Sequence, residues 1–224
     1  MKKYLFSYIM FILIIIGLVL FLVESDKINN QVNSNVTQIS SVQNTQPVTQ
    51  TVVSNQTVTQ VNDLTFPIDQ FKERITKKFF GTYVTPQNSP ISPERFTGHH
   101  TGVDIEYQDV MGDVSVFAIT DGTVIASQWV SGYGGVIILR VKIAGVDHSV
   151  LYGHLRSNSM LKTGSSVSKG EKMGILGTGY SAETDGERRH LHFSVLSDSR
   201  VYYKGYVQTK LELSGWVDPM TLYK

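Results

Sequence analysis

The stretch Arg189-His190-Leu191-His192-Phe193-Ser194-Val195 contains two histidines separated by one apolar residue. Side chains alternate between the two faces of a β-strand, so His190 and His192 are predicted to share one face. Residues two apart lie about 6–7 Å apart along a strand, which allows both imidazoles to serve one small centre. On its own, such a pair is more often solvent-facing. The opposite face is apolar and is predicted to contact a core; it consists of Leu191, Phe193 and Val195.

Composition limits the class of protein and the kind of site. The chain has 224 residues, 41% hydrophobic and 17% charged, which is an ordinary globular composition and predicts one folded domain. The formal net charge is +1 and no basic stripe alternates with aromatic residues, so nucleic acid is not a favoured partner. Cysteine is absent, which excludes disulfides, thiolate nucleophiles and thiolate zinc sites. Any metal must therefore be held by His, Asp or Glu.

Residues 1–23 are predicted to be a membrane anchor. Met1-Lys2-Lys3 precedes twenty largely apolar residues, 4–23, and a helix of that length spans the bilayer's hydrocarbon core of about 30 Å. The lysines before this segment and the acidic residues after it place the downstream chain outside the cytoplasm. The alternative is a cleaved signal peptide, although the apolar region exceeds the roughly 7–15 residues usual for one. The expected location is the cell membrane, or the exterior after cleavage.

The rest of the chain divides into a tether and a domain. Residues 24–64 are rich in Asn, Gln, Ser, Thr and Val and contain no glycine and no aromatic residue, so they are predicted to be disordered. Aromatic, glycine and charged residues return from residue 65, and 65–224 is the predicted folded domain.

Short strands separated by glycine turns predict a mostly all-β, antiparallel domain. The first two strands are expected to form a hairpin around Asp121-Gly122, because glycine accepts the positive φ that such turns need. Residues 70–77 are expected to form a short helix or a turn. The strands are predicted at 114–119, 123–130, 136–143 and 148–155, with a turn at 144–147, followed by two short strands between Gly170 and His190.

The segment His100-Thr101-Gly102-Val103-Asp104 places a histidine and an aspartate four residues apart. In an extended segment both would lie on one side, with Gly102 leaving room between them. Imidazole nitrogen and carboxylate oxygen suit zinc, and His192 is the expected third ligand, leaving the open position that catalytic zinc requires. A His–Asp surface pair in a turn is the equally frequent alternative for these two residues.

Three motifs together resemble a known family. His100-Thr101-Gly102-Val103-Asp104, Tyr152-Gly153-His154-Leu155 and His190-Leu191-His192-Phe193 are similar to the H-x-G-x-D, Y-G-H-L and H-L-H-F motifs of lysostaphin-like, or LytM-type, zinc endopeptidases. These enzymes cut peptidoglycan peptides. The motifs occur in the family's order, and the resemblance extends from about Ile75 through the His190 strand.

The resemblance implies a fold, a cofactor and a set of roles. The fold would be the family's antiparallel β structure, the duplicated hybrid motif, with one Zn²⁺ per domain. His100, Asp104 and His192 would bind the zinc, and His154 and His190 would be the catalytic pair. The implied function is hydrolysis of peptide bonds in peptidoglycan by a monomer tethered to the membrane.

This sequence also departs from the family pattern. Glu187-Arg188-Arg189 precedes His190 and is expected to put charge at the rim of the groove, and residues 85–97 form a Pro/Ser/Asn-rich loop. Tyr133, Tyr152 and Arg189 are candidates to line that groove, although tyrosine in a β domain more often packs. His99 and His148 are expected to be solvent-facing or hydrogen-bonded surface histidines.

Two rival functions remain open. A catalytically silent wall-binding or amidase-activating module of the same fold would need the anchor and tether equally, but it predicts missing ligands. A zinc D-alanyl-D-alanine carboxypeptidase of a related type would have its first His and Asp spaced more widely.

Overall fold

The computed structural model describes residues 64–223. The predicted membrane span and all but the last residue of the predicted tether lie outside the described residues. Among residues 64–223, no helix has the length and apolar character needed to cross a bilayer.

Antiparallel β-strands dominate the described domain, as predicted. Every strand pairing in residues 64–223 is antiparallel, and α1 (Lys210–Leu213) is the one α-helix there. The strands are β1 (Tyr83–Val84), β2 (Gly98–His100), β3 (Gly102–Glu106), β4 (Ser115–Phe117), β5 (Gly122–Val130), β6 (Gly134–Ile143), β7 (Val146–Leu155), β8 (Ser166–Val167), β9 (Lys172–Ile175), β10 (His190–Leu196), β11 (Tyr206–Val207) and β12 (Trp216–Val217).

The largest sheet has seven strands and is organised around β10. Its order is β12-β10-β7-β6-β5-β8, and β3 pairs with the same edge of β10 as β12, further toward the start of the strand. A three-stranded sheet of order β1-β2-β11 and a two-stranded sheet of β4 and β9 complete the domain. β10 therefore connects the segment that carries Asp104 to the segment that carries His154.

The main core covers one face of the large sheet. Leu191, Phe193 and Val195 have no solvent exposure, which confirms the apolar face predicted for the His190 strand. β6 alternates in the same way, with Ile137 and Leu139 in the main core and Val136 and Ile138 in a smaller cluster on the other face. Both faces of the central strands are thus covered.

Two predictions about local structure are wrong. β4 does not form a hairpin with β5 across Asp121-Gly122: it pairs with β9, and β5 pairs with β6 and β8. The chain leaves the small sheet and enters the large one at this turn, so the two strands belong to different sheets. The turn after β6 is also shorter than predicted, because Ala144 and Gly145 both adopt positive φ and β7 begins at Val146. The helix or turn expected at residues 70–77 is a turn, over residues 70–74.

Candidate metal centre

The register between β3 and β10 brings two predicted ligands face to face. His192 lies directly opposite Asp104, and Ser194 lies opposite Gly102. A side chain at Gly102 could not fit, since its Cβ would lie 2.3 Å from the carbonyl oxygen of Phe193. The glycine therefore permits the close strand contact that aligns Asp104 with His192.

Three ligand atoms meet at nearly equal distances. His100 Nε2 lies 3.0 Å from His192 Nδ1 and 3.2 Å from Asp104 Oδ1, and His192 Nδ1 lies 3.1 Å from Asp104 Oδ1. All three side chains are almost completely buried. Zinc bonds of ~2.0–2.1 Å at tetrahedral angles place neighbouring ligand atoms about 3.3 Å apart, so this set matches three positions of a zinc site.

The hydrogen bonds around His100 also suit a metal ligand. Its Nδ1–H donates to the carbonyl oxygen of Phe79 at 3.3 Å, which leaves the lone pair of Nε2 directed toward Asp104 and His192. A metal-binding histidine commonly has its other ring nitrogen fixed in this way. The residues present therefore fit a zinc ion.

His154 reaches the same place through a β-bulge. Gly135 pairs with Leu155 but Val136 pairs with Gly153, so His154 is the extra residue of β7. Its φ is +63°, in the left-handed region that a histidine rarely adopts. The bulge turns the His154 ring toward the ring of His190, with 4.1 Å between the ring centroids.

His190 is held beside the three ligands without joining them. Its Nδ1–H donates to the carbonyl oxygen of Arg188 at 2.9 Å, so Nε2 carries the free lone pair. That Nε2 lies 3.5 Å from Asp104 Oδ2, the carboxylate oxygen on the side away from the ligand cluster. His154 and His190 therefore form a neighbouring pair outside the group of ligand atoms.

Burial controls the charge of these groups. It lowers the pKa of His154 to about 3 and that of His190 well below the usual histidine value, with Arg188 adding to the effect at His190. Burial would raise the pKa of Asp104, but His100, His190 and Arg188 together hold it well below its usual range. At neutral pH both members of the histidine pair are thus uncharged.

A cavity of about 300 Å³ opens beside these residues. The side chains of Asp104, His154, His190 and His192 all reach it. It is also lined by Lys78, Phe96, Thr97, Ser131, Gly132, Tyr133, Glu187, Arg188, Tyr203, Lys204, Gly205 and Tyr206. A substrate in this cavity would contact ligands and histidine pair together.

A model of peptidase family M23 matches residues 98–203, a range that begins at β2 and includes all five of these site residues. The domain belongs to peptidase family M23. The family consists of zinc-dependent peptidases and includes the lysostaphin-like and LytM-type enzymes that the motifs resemble. No curated protein sequence matches the chain.

Several solved structures are similar to the M23 domain. Helicobacter pylori Csd3 is 26% identical, with 65% of this chain and 35% of that chain covered and a TM-score of 0.42. A putative glycyl-glycine endopeptidase lytM from Ruminococcus gnavus is 21% identical, with 72% and 59% covered and a TM-score of 0.42. The SpoIIQ–SpoIIIAH pore-forming complex is 18% identical, with 72% and 90% covered and a TM-score of 0.47. The match spans about a third of the Csd3 chain.

The three residues predicted to line the groove occupy different places in the M23 domain. Tyr133 lines the cavity, and its ring lies 5.3 Å from the rings of both His154 and His192. Tyr152 is buried in the main core, where its hydroxyl accepts a hydrogen bond from the backbone N–H of Ile119. Arg189 points away from the cavity and donates to the carbonyl oxygens of Val110 and Gly112.

The remaining two histidines lie outside the site. His99 donates through Nδ1 to the carbonyl oxygen of Gly81, and His148 donates through Nδ1 to that of Leu196. Both are partly buried and hydrogen-bonded to the backbone, which agrees with the second of the two alternatives expected for them.

Charge near the site is distributed differently from the prediction. Glu187, Arg188 and Arg189 were expected at the rim, but each is less than 10% exposed. Arg188 donates to Asp104 and Glu106, while Glu187 pairs with Arg95. These buried charges are stable because each has partners of opposite charge or carbonyl acceptors.

Sequence reasoning missed a second buried group behind His100. The Nζ of Lys78 donates to the hydroxyl of Tyr206 at 2.8 Å and pairs with Glu94, from the loop at 85–97. The Tyr206 ring lies 5.2 Å from that of His100 and stacks on Phe96. No motif marks these residues, because they come from segments that are distant in sequence.

Proposed function

We propose that this M23 domain is a zinc-dependent endopeptidase that hydrolyses peptide bonds in peptidoglycan. The observation that carries the proposal is the meeting of His100 Nε2, Asp104 Oδ1 and His192 Nδ1 within 3.2 Å of one another beside a cavity. Three protein ligands leave a position open for catalysis, whereas a purely structural zinc site is usually closed by four.

The catalytic roles follow from the positions of the two neutral histidines. A zinc ion held by the three ligands would polarise the scissile carbonyl and lower the pKa of an attacking water. His190 Nε2, its tautomer fixed by Arg188, would accept the proton of that water. The protonated His190 would return that proton to the leaving amine, and His154 would donate a hydrogen bond to the oxyanion.

A silent module of the same fold is less well supported. Loss of function in such a module would relax selection on the ligands and the histidine pair, yet all five side chains are present, and all but the fully buried His100 line one cavity. His154 also retains a backbone conformation that costs on the order of 1–3 kcal/mol. Strain of this kind is maintained where it positions a functional group.

The segments that precede the domain would bring it to its substrate. The apolar segment at 4–23 and the polar segment at 24–64 would tether the domain outside the cytoplasm, where peptidoglycan lies. The partners would then be the membrane and peptidoglycan peptides, and the domain would act as a monomer.

Mass spectrometry of fragments released from purified peptidoglycan tests the function. We expect new amino termini inside stem peptides or cross-bridges, with release abolished by a chelator and restored by zinc. Release of terminal D-alanine alone would instead identify a carboxypeptidase. No release by a zinc-loaded, folded protein would support the silent module.

A further inference from the structure

One arginine lies buried between two carboxylates directly behind the ligand cluster. Arg188 Nη2 donates to Asp104 Oδ2 at 2.7 Å and to Glu106 Oε1 at 2.8 Å. Its Nε donates to both oxygens of Glu106 at 3.0 Å. The side chain of Arg188 is 2% exposed and that of Glu106 is 10% exposed. The guanidinium is therefore held in one orientation by Glu106 and presents one N–H to Asp104.

We propose that Arg188 and Glu106 form a positioning pair that fixes the Asp104 carboxylate for zinc binding. This inference rests on the proposed zinc site. Asp104 uses Oδ1 toward His100 and His192, while Oδ2 is occupied by Arg188. A carboxylate held through its second oxygen cannot rotate to bind the metal with both oxygens, so coordination through Oδ1 alone is enforced.

Glu106 has an electrostatic role as well as an orienting one. A lone guanidinium beside a ligand would repel a divalent cation, because little solvent screens charges in a buried site. Glu106 neutralises Arg188 through three hydrogen bonds, and Lys77 approaches Glu106 only at 3.8 Å from a partly exposed position. Arg188 can thus direct Asp104 without lowering the zinc affinity through its charge.

The backbone of Arg188 serves the same site. Its carbonyl oxygen accepts the Nδ1–H of His190, and β10 begins at that histidine. On β3, Glu106 lies directly opposite His190, two pairs along the ladder from Asp104 and His192 and therefore on the same face. The positioning pair therefore extends the ladder that carries the site, and Arg188 orients a ligand and a catalytic histidine at once.

A salt bridge that merely stabilises the fold would have a different signature. Its removal would lower the free energy of unfolding but leave the zinc affinity of the folded protein unchanged. The affinity for zinc, measured by competition with a chromophoric chelator, separates the two roles and does not depend on catalysis.

The deciding variant is the full-length protein with Arg188→Met and Glu106→Gln together. It removes one positive and one negative charge, so the net charge near the metal is unchanged and the loss of orientation is isolated. We expect the zinc affinity to fall about 10–100-fold, the range typical for residues that orient metal ligands. An affinity within about threefold of the unaltered protein would overturn the proposal.

Arg188→Lys provides a second measurement should the double variant fail to fold. Lysine keeps the charge but has one nitrogen, which cannot reproduce the planar set of bonds to both carboxylates. We expect a loss of zinc affinity here too, and an unchanged affinity would overturn the proposal.

Arg189→Met is the matched control. Arg189 is equally adjacent in sequence and largely buried, but it donates to carbonyl oxygens away from the site. The zinc affinity of Arg189→Met should be unchanged. An affinity loss equal to that of the double variant would show that any loosening of the fold near the site weakens zinc binding, and this would overturn the proposal. If the unaltered protein itself binds no zinc, the proposed function fails rather than this inference.

Discussion

His192 and His154 differ in what their ring nitrogens contact, so their loss should have different consequences. His192→Ala removes one of three converging ligand atoms, and we expect zinc content and activity to fall together. His154→Ala removes a ring outside that cluster, so zinc should remain while activity falls about 100-fold or more. Metal analysis of both purified variants, alongside hydrolysis of muropeptides, measures the difference.

His148→Ala is the control for this pair, because His148 donates to a backbone carbonyl outside the cavity. It should retain both zinc and activity. Loss of zinc from His154→Ala as readily as from His192→Ala would make His154 a ligand and reverse the assigned roles.

The buried histidines also predict how the stability of the metal-free domain depends on pH. His154 has a pKa of about 3 in the folded domain against 6.5 when exposed in the unfolded chain, because burial disfavours its charged form. Between these values the unfolded chain binds a proton that the folded domain does not, so stability decreases as pH falls through this window. His190 and His192 shift in the same direction.

Urea unfolding of the metal-free domain should therefore show a lower midpoint near pH 5 than near pH 7.5. His154→Gln removes one of the titrating groups, so its midpoint should fall less over the same interval. An equal fall in the variant would show that His154 does not contribute to the effect.

For single residues, the sequence predicted the zinc ligands but not the residues that we propose hold them in position. A strand's period of two places His190 and His192 together, and three motifs indicated the family. Arg188 was expected at the rim of the groove because it lies in the charged segment just before His190. Its buried position depends on Glu106, which is 82 residues away in sequence and paired only by the fold.

At the scale of elements, β10 and its neighbours determine the site: Gly102 allows β3 to approach β10, and Gly153 on β7 leaves room for the ring of Tyr133. A Cβ at Gly153 would lie 2.6 Å from Cδ1 of Tyr133, as one at Gly102 would meet Phe193. Period-two alternation would put His154 on the same side as the core residue Tyr152. Only the bulge at His154 turns it to the cavity, and a bulge depends on partner strands that the local sequence does not identify.

Gly102→Ala tests the close approach of β3 to β10. The added methyl would overlap the Phe193 carbonyl and force β3 outward, separating Asp104 from His192. We expect a lower free energy of unfolding, by roughly 1–3 kcal/mol, and weaker zinc binding. Chemical denaturation and chelator competition measure the two effects.

Gly174→Ala on β9 is the matched control, since its Cβ would meet only ordinary contacts at 3.4 Å or more. It should change neither property appreciably. Normal zinc binding by Gly102→Ala would show that the alignment of the ligands tolerates movement of β3.

The wrong hairpin shows why local signals place strands better than they pair them. The chain does bend between two strand segments, as the sequence indicated, but Gly122 already belongs to β5 and the partner of β4 lies far along the chain. Hairpin patterns report backbone conformation, whereas membership of a sheet depends on which apolar faces pack together. The fold class was therefore predictable and the topology was not.

At the largest scale, the chain has two parts. We propose that residues 1–64 determine where the protein is located, whereas the domain that follows carries the candidate site. Every residue of the candidate site lies between residues 100 and 192, and the cavity is lined by residues from Lys78 to Tyr206. No candidate catalytic group was found in the sequence of residues 24–64. Removing residues 1–64 should therefore leave the chemistry intact and change only which substrates the enzyme reaches.

We accordingly expect residues 65–224, produced alone, to bind one zinc ion and to hydrolyse soluble muropeptides with nearly the specific activity of the full-length protein. The composition of residues 24–64 predicts a tether with an average reach of about 35 Å, so we expect the full-length protein to act preferentially on peptidoglycan near its membrane. The comparison is made on two substrates, soluble muropeptides and intact cells expressing either form. About a tenfold loss on muropeptides would show that residues 1–64 contribute to catalysis itself, because soluble substrates need no tether to reach the cavity.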